Sequence, residues 1–287
     1  MNNTIVVGCD IGGSHISTAL VDLKHRTIIA NSFVRQTVDS SRDAVAVICS
    51  WSDCIQASLK TSHVSANAIG IAIPGPFDYQ EGISLMKNQD KYEQLYGVNV
   101  RLLLAERLGV PAGHIYFIND AAAFLEGEMF AGAGKIFKKA VGLTLGTGLG
   151  SALFLNGHAE DGDLWHTPFR EGIAEDYLSG RWLKHRYLEK SGQAVEHVKA
   201  IAERVPGDGI AKAVFEEFGK TLGEFIVKHL LQKDPECVVI GGNIAKANAL
   251  FLNSTYNELA EYGSSLPIKT AELGEMAAIY GAASVLK

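Results

Sequence analysis

IVVGCDIGGSHISTALVD, residues 5–22, and AVGLTLGTGLGSALFLNG, residues 140–157, read as one piece of structure written twice. Each opens with an apolar strand run, breaks at glycines (Gly12-Gly13-Ser14 and Gly146-Thr147-Gly148) and resumes as a second strand. Val7/Val141, Gly8/Gly142, Gly12/Gly146 and Ser17/Ser151 are identical at an offset of 134 residues, and Asp10 faces Thr144. Glycine turns recur by chance, but matches held at one register of a strand-turn-strand unit argue for internal duplication. The chain therefore reads as two similar α/β halves.

The rest of the composition agrees with that size of fold. A chain of 287 residues, 47% apolar and 20% charged, is an ordinary soluble globular protein of roughly two domains. A net charge of −6 without a basic block argues against nucleic acid as a partner. No signal-peptide pattern opens the chain, and no apolar run reaches the ~20 residues that span a bilayer, so no membrane partner is expected. Cys9, Cys49, Cys54 and Cys237 form no CxxC or other ligand pair, which fits reduced thiols and a cytoplasmic setting.

Around the first hairpin, residues 4–36 read as three adjacent antiparallel strands, the third being TIIANSFVRQ. A helix is expected over 40–60, a strand over 68–73 ended by Pro74-Gly75-Pro76, and a helix in VRLLLAERLG stopped by Gly109. IYFINDAAAFLEGEMFAGAG, residues 115–134, then joins a short buried strand to an alanine-rich helix through Asn119-Asp120. After the second hairpin, residues 157–172 read as irregular. Helices are expected over 173–188, 194–204, 210–232 and 243–252, with CVVIGG and PIKTA as strands and a closing helix over 275–286.

Open α/β sheets bind ligands at the carboxyl ends of their strands, where Asn119-Asp120 and both glycine turns fall. Taken alone, Asp120 reads as the N-cap of its helix. Each glycine turn offers backbone N–H groups to phosphate oxygens, or is a plain hairpin turn; two in duplicated halves favour the phosphate role. A Rossmann reading fails because Ser151 stands where the last glycine belongs and a strand follows, and no GKS or GKT supports a Walker loop. Asp10 could orient magnesium through its water shell, or bond nearby turn N–H groups. VVIGGN, residues 238–243, offers a glycine pair that a flat adenine could approach.

DIGGSHISTALVD, AIPGPFD, NDAAAFLEGEMFAGAG, GTGLGSALFLNG and VVIGGN occur in the order and spacing of the ROK family of sugar kinases, which the chain resembles over nearly its whole length. The resemblance implies a two-domain actin-like ATPase/hexokinase (ribonuclease H-like) fold, with a cleft between duplicated domains at 1–118 and 119–273 and a closing helix, 274–287, completing the first. It places ATP phosphates on Gly12, Gly13, Ser14, Gly146, Thr147 and Gly148, and adenosine beside Gly241 and Gly242. Asp10 joins the nucleotide site by holding Mg2+ through water. Asp120 becomes the general base on the sugar hydroxyl, with Gly75, Asn88 and Asn119 on the sugar side, although Gln89 follows Asn88 where a small apolar residue is usual.

The departures lie between Gly162 and Gly180. The family carries a Gly-Glu-x-Gly-His element, a cysteine-rich zinc segment and a later glutamate. This chain reads GDLWH, so Asp163 replaces the glutamate and Trp165 a glycine, while His166 and Glu175 are retained with eight residues and no cysteine between them. No structural zinc is expected: Asp163, His166 and Glu175 without thiolates make a poor zinc set and suit sugar hydroxyls better. The expected activity is ATP:hexose phosphotransfer of glucokinase type, with Mg2+, sugar and nucleotide as its small-molecule partners. Two alternatives stand beside it, a sugar-responsive ROK regulator and a polyphosphate-dependent glucokinase. A regulator would carry a DNA-binding segment before the first strand, and that strand starts at Thr4. The resemblance leaves monomer and homodimer both open, dimers being common in the family.

Overall fold

The first glycine turn joins β1 (Ile5–Ile11) to β2 (His15–Asp22) antiparallel, with Asp10 opposite Ser17. The computed structural model describes residues 4–61, 65–88 and 91–286, which leaves Gln89 outside the described residues. The expected third strand is two short ones, β3 (Thr27–Ile28) and β4 (Val34–Thr37), both paired with β2. Between them Asn31 takes a left-handed φ of 63°, and the Ser32 hydroxyl accepts from Leu20 N–H and donates to Ile29 C=O. That local side-chain bonding competes with the strand ladder and ends it.

Helix α1 (Ala44–Thr61) covers one face of this sheet with Val47, Ile48, Trp51 and Ile55, packed against Val7, Cys9 and Ile11. β5 (Ile69–Ile73) runs parallel to β1, and a small hairpin, β6 (Phe77–Asp78) with β7 (Ile83–Ser84), follows it. α2 (Val100–Leu108) starts where the Asn99 side chain accepts from Leu102 N–H and ends at Gly109, φ 67°. β8 (Ile115–Asn119), parallel to β5, leads straight into α3 (Asp120–Ala131). The main strand order is β3-β2-β1-β5-β8.

The second half repeats the plan. β9 (Ala140–Leu145) and β10 (Leu149–Leu155) form the second glycine hairpin, and β11 (His158–Asp161) pairs with β10 inside a stretch expected to be irregular. A two-residue pair, β12 (Pro168–Phe169) and β13 (Gly172–Ile173), follows. The single helix expected over 173–188 is two, α4 (Ala174–Tyr177) and α5 (Gly180–Ser191), the latter capped by the Ser179 side chain on Trp182 N–H. α6 covers only Val198–Arg204, and α7 (Gly209–Phe225) passes into a π-helical turn over Ile226–Leu230. β14 (Cys237–Gly241) is followed by a single helical turn, α8 (Gly242–Ala245), and then by α9 (Leu252–Glu261), which the glycine- and alanine-led reading of 243–252 missed. β15 (Ile268–Thr270) closes a sheet ordered β11-β10-β9-β14-β15. Apart from β4, which only the first sheet has, the two strand orders match, with β1 and β9 each antiparallel to the next strand and parallel to a later one. Duplication is visible in topology as well as in sequence.

The last helix, α10 (Ala277–Ser284), belongs to the first half. The chain divides into Met1–Lys135 with Glu275–Lys287, and Ile136–Gly274, so the expected boundary at 118/119 moves beyond α3. The reason is packing. α3 buries nearly every residue from Ala121 to Phe130, and its neighbour is α10. Four glycines let α10 lie against backbone: a Cβ on Gly8, Gly70 or Gly127 would collide with the carbonyls of Ile279, Ala282 and Ala277, and one on Gly281 with that of Ala123. The side chains of Val6, Ala19 and Val21 close the same seam against Ile279 and Ala283.

Because backbone cannot retreat as a flexible side chain can, Gly281→Val is expected to cost about 3 kcal/mol. Urea unfolding should show the lost stability, and a change under about 0.5 kcal/mol would contradict the seam.

Candidate functional site

In the first unit, Gly12 N–H donates to His15 C=O at 2.9 Å, closing a turn whose tip, Gly13-Ser14, is exposed. The Tyr92 hydroxyl donates to Gly12 C=O at 2.6 Å. Tyr92 is buried, edge-on to Trp51 at 5.1 Å, and holds a left-handed φ of 54° that is unfavourable for a bulky residue. Burial pushes its phenol up to about 12, so it remains a donor at neutral pH. Strain concentrated on a buried anchor of a glycine turn is the pattern of a functional segment. Asn88 lies exposed on that segment, also left-handed at φ 58°.

At the end of β8 the structure corrects the capping assignment. The N-cap of α3 is Asn119, whose Oδ1 accepts from Ala121 N–H at 2.9 Å and from Ala122 N–H at 3.1 Å. Asp120 is the first helical residue, exposed, with Oδ1 accepting from the same Ala121 N–H at 2.9 Å. The Asn119 amide donates to Tyr79 Oη at 3.3 Å, and Tyr79 donates to Ile73 C=O at 3.2 Å. A Cβ on Gly75 would meet the same hydroxyl at 3.4 Å. Tyr79 thus joins the Gly75 loop to Asn119, and nothing in its sequence surroundings marked it.

Asp10 and Asp120 feel each other's charge. Burial, and then repulsion from Asp120, lift the Asp10 carboxyl from its ordinary 3.8 to about 6; Glu275 adds to this and Arg35 opposes it. Arg35 pairs with Glu275 at 2.7 Å and sits opposite Ser17, the residue opposite Asp10, so strand register puts all three on one sheet face. A partly buried carboxylate that feels the charge of a second one is the donor chemistry that a hard divalent cation such as Mg2+ favours.

In the second unit the hairpin is held from three sides. Gly146 N–H donates to Gly148 C=O, Gly180 N–H to Gly146 C=O at 2.7 Å, and Leu149 N–H to Glu175 Oε2 at 3.0 Å. The Glu175 carboxylate therefore faces the hairpin, and its other oxygen takes a charged hydrogen bond from Arg181. Only its backbone reaches toward the other sugar-side candidates, through N–H to Trp165 C=O at 3.0 Å. Asp163 and His166 pair with each other at 3.3 Å on an exposed loop, with the Trp165 ring 5.0 Å from the imidazole and tilted 59° to it. Among the described residues, no group of three His, Cys, Asp or Glu side chains converges. Gly241 pairs with Thr144 at the end of β14, and Gly242 (φ 84°) lies against Leu145 C=O.

Beside the hairpin opens a cavity of about 890 Å3, lined by Gly146 and Thr147, by the cations Arg181, Lys184, Lys199 and Lys246 with Glu196 and Glu203 among them, and by the apolar Val198, Ala202, Ile244, Ala247 and Leu250. Its size and its mixed apolar and cationic lining fit a nucleotide. Gly148, Gly241 and Gly242 do not line it, although Asn243 does. Reading glycines alone found the turns and missed Arg181 and the wall from α6 and α8, whose approach is tertiary.

The ROK family model matches residues 6–287. The chain belongs to the ROK family. A glucokinase of Thermotoga maritima is 25% identical over 98% of this chain and 97% of its own. A ROK family glucokinase of Streptomyces griseus, solved in complex with glucose and AMPPNP, superposes with a TM-score of 0.76 at 22% identity, covering 98% of both chains. That likeness fixes the two-domain sugar-kinase fold. The family also holds regulators: a xylose repressor of Bacillus subtilis is 22% identical over 98% of this chain and 76% of its own. Among the described residues, no helix is long and apolar enough to cross a membrane.

The raised Asp10 carboxyl makes this site a local weak point of the ROK fold. Between pH 3.8 and about 6 the folded chain keeps a proton that the unfolded chain has released. Stability therefore falls as pH rises through that window, and the penalty is complete above it. In metal-free buffer Asp10→Asn is expected to stabilise the protein by about 2 kcal/mol at pH 8 and by little at pH 3.5. Paired denaturation curves check this, and equal effects at both pH values would refute it.

Proposed function

We propose that the protein is an ATP-dependent sugar kinase that transfers the γ-phosphoryl group to a hexose hydroxyl, the 6-hydroxyl of a glucose-like sugar, with Asp120 as general base. The observation that carries this reading is the division of labour at the head of α3. Asn119 does the capping, and the Asp120 carboxylate stands exposed beside the charge of Asp10. As the hydroxyl oxygen bonds to phosphorus and the bond to the leaving ADP oxygen breaks, Asp120 takes the hydroxyl proton.

Gly75, Asn88 and the Asn119 amide, with Asp163 and His166, would be the sugar-side groups, while the Glu175 carboxylate is turned to the hairpin by Leu149 N–H and Arg181. Asp163 has one methylene fewer than the glutamate usual there, so its contact shifts or runs through water, which bears on sugar choice. Backbone N–H groups of Gly12, Gly13 and Ser14, and of Gly146, Thr147 and Gly148, would receive phosphate oxygens. The apolar wall of Ile244, Ala247 and Leu250 would take the adenine, near Gly241 and Gly242. When bound through its water shell at Asp10, Mg2+ supplies charge neutralisation on the phosphates. The name of the Thermotoga relative and the glucose and AMPPNP of the Streptomyces structure support sugar and ATP as substrates.

Asp120→Asn is expected to lower sugar-dependent ADP release by about 10²- to 10⁴-fold while sugar still binds. A coupled assay over glucose, mannose, fructose, allose and N-acetylated hexosamines, run with ATP and with polyphosphate, identifies both substrates. Near wild-type turnover in the variant sinks the mechanism. Sugar binding without turnover by the wild-type protein identifies a regulator instead.

A further inference from the structure

The helix that follows Ser179 brings to the second hairpin an arginine that the sequence patterns do not single out. We propose that Arg181 is a ligand for the polyphosphoryl chain of the donor and that Glu175 is the positioning residue that aims it; the proposal rests on the kinase reading above. Arg181 lines the cavity next to Gly146 and Thr147, in the first turn of α5. Its side chain is 62% exposed, and its one partner among the described residues is Glu175. A guanidinium has five N–H donors in a planar fork, so one carboxylate oxygen leaves most of that fork for other acceptors. Phosphate oxygens are the acceptors that this geometry fits best.

The neighbouring cations are differently placed. Lys184 donates to Glu196 C=O at 3.4 Å and Lys246 to Asn243 Oδ1 at 3.0 Å, neither of them a residue bonded to the hairpin backbone in these contacts. Arg181 alone among these three is tied to the residue that holds the hairpin. Glu175 accepts from Leu149 N–H and from Arg181 at once, and a Cβ on Gly148 would collide with its Oε2. The carboxylate thus sets the hairpin backbone and the arginine at a common position. A free arginine on the surface must give up rotamer entropy to bind in one pose. Pairing with Glu175, itself only 21% exposed, restricts those rotamers before any ligand arrives.

The test uses the full chain and three probes without sugar: AMPPNP with Mg2+, adenosine, and inorganic tripolyphosphate as competitor. Calorimetry should show Arg181→Ala weakening AMPPNP at least tenfold with adenosine unchanged, and Arg181→Lys recovering part of the loss. Tripolyphosphate should compete less well in Arg181→Ala, which shows that the chain of phosphates is what Arg181 reads. Glu175→Gln keeps an oxygen for Leu149 N–H but removes the charge, and should weaken AMPPNP several-fold in the wild-type background and hardly at all in Arg181→Ala. Unchanged AMPPNP affinity in Arg181→Ala, or equal loss for AMPPNP and adenosine, overturns the arginine's role while leaving the kinase reading intact. Additive effects of the two substitutions overturn the positioning role of Glu175. A wild-type protein that binds no AMPPNP and phosphorylates no sugar overturns the kinase reading and this proposal together.

Discussion

The fold of the first unit depends on backbone meeting backbone. α10 lies on β1 and β5 and against α3 at a distance that only glycine permits, at Gly8, Gly70, Gly127 and Gly281. Side-chain layers usually set such distances and tolerate repacking; here the limit is the peptide unit itself. The seam fixes how β1 and α3 stand relative to each other, and Asp10 and Asp120 ride on those two elements. Their mutual repulsion follows from helix packing formed several turns away.

That arrangement is unfavourable to the folded chain and, on the proposed kinase reading, useful at a phosphoryl-transfer site. Carboxylate charge disfavoured by burial and repulsion raises the free energy of the folded protein, and a divalent cation bound there would relieve it. The Arg35–Glu275 pair acts in the opposite sense on the two sides of Asp10, with the arginine easing and the glutamate aggravating its ionisation. Unit two answers with cations beside its hairpin where unit one gathers acids. Duplication preserved the strand plan and let the chemistry of the two turns diverge, as Asp10 against Thr144 already shows.

Much of the fold was legible because the hairpins repeat. Two copies at one register carry more information than either alone, and the matching strand orders follow from them. Misreadings arose where short-range pattern met a tertiary partner. Asp120 looked like a cap because aspartate often is one, but the preceding asparagine occupies the cap torsion and takes two N–H groups. α3 seemed to open the second domain until its contacts with α10 placed it in the first. Ser179-Gly180 split one expected helix because Gly180 N–H is used by Gly146 C=O. Tyr79, Tyr92 and Arg181 sit at no recognisable spacing from their partners, and only the folded chain brings them to Asn119, Gly12 and Glu175.

The position of α10 also orders events during synthesis. Residues 136–274 emerge before the helix that completes the first unit, although the strands of that unit emerge earliest. Until residues 275–286 leave the ribosome, β1, β5 and α3 have no partner for their glycine-lined faces. The second unit, which is one continuous segment, can close first. Early strands that wait for a helix made after a whole further unit reverse the usual vectorial order, in which amino-terminal domains fold as they appear. The wait also keeps the two acidic residues from being brought together until that helix has emerged.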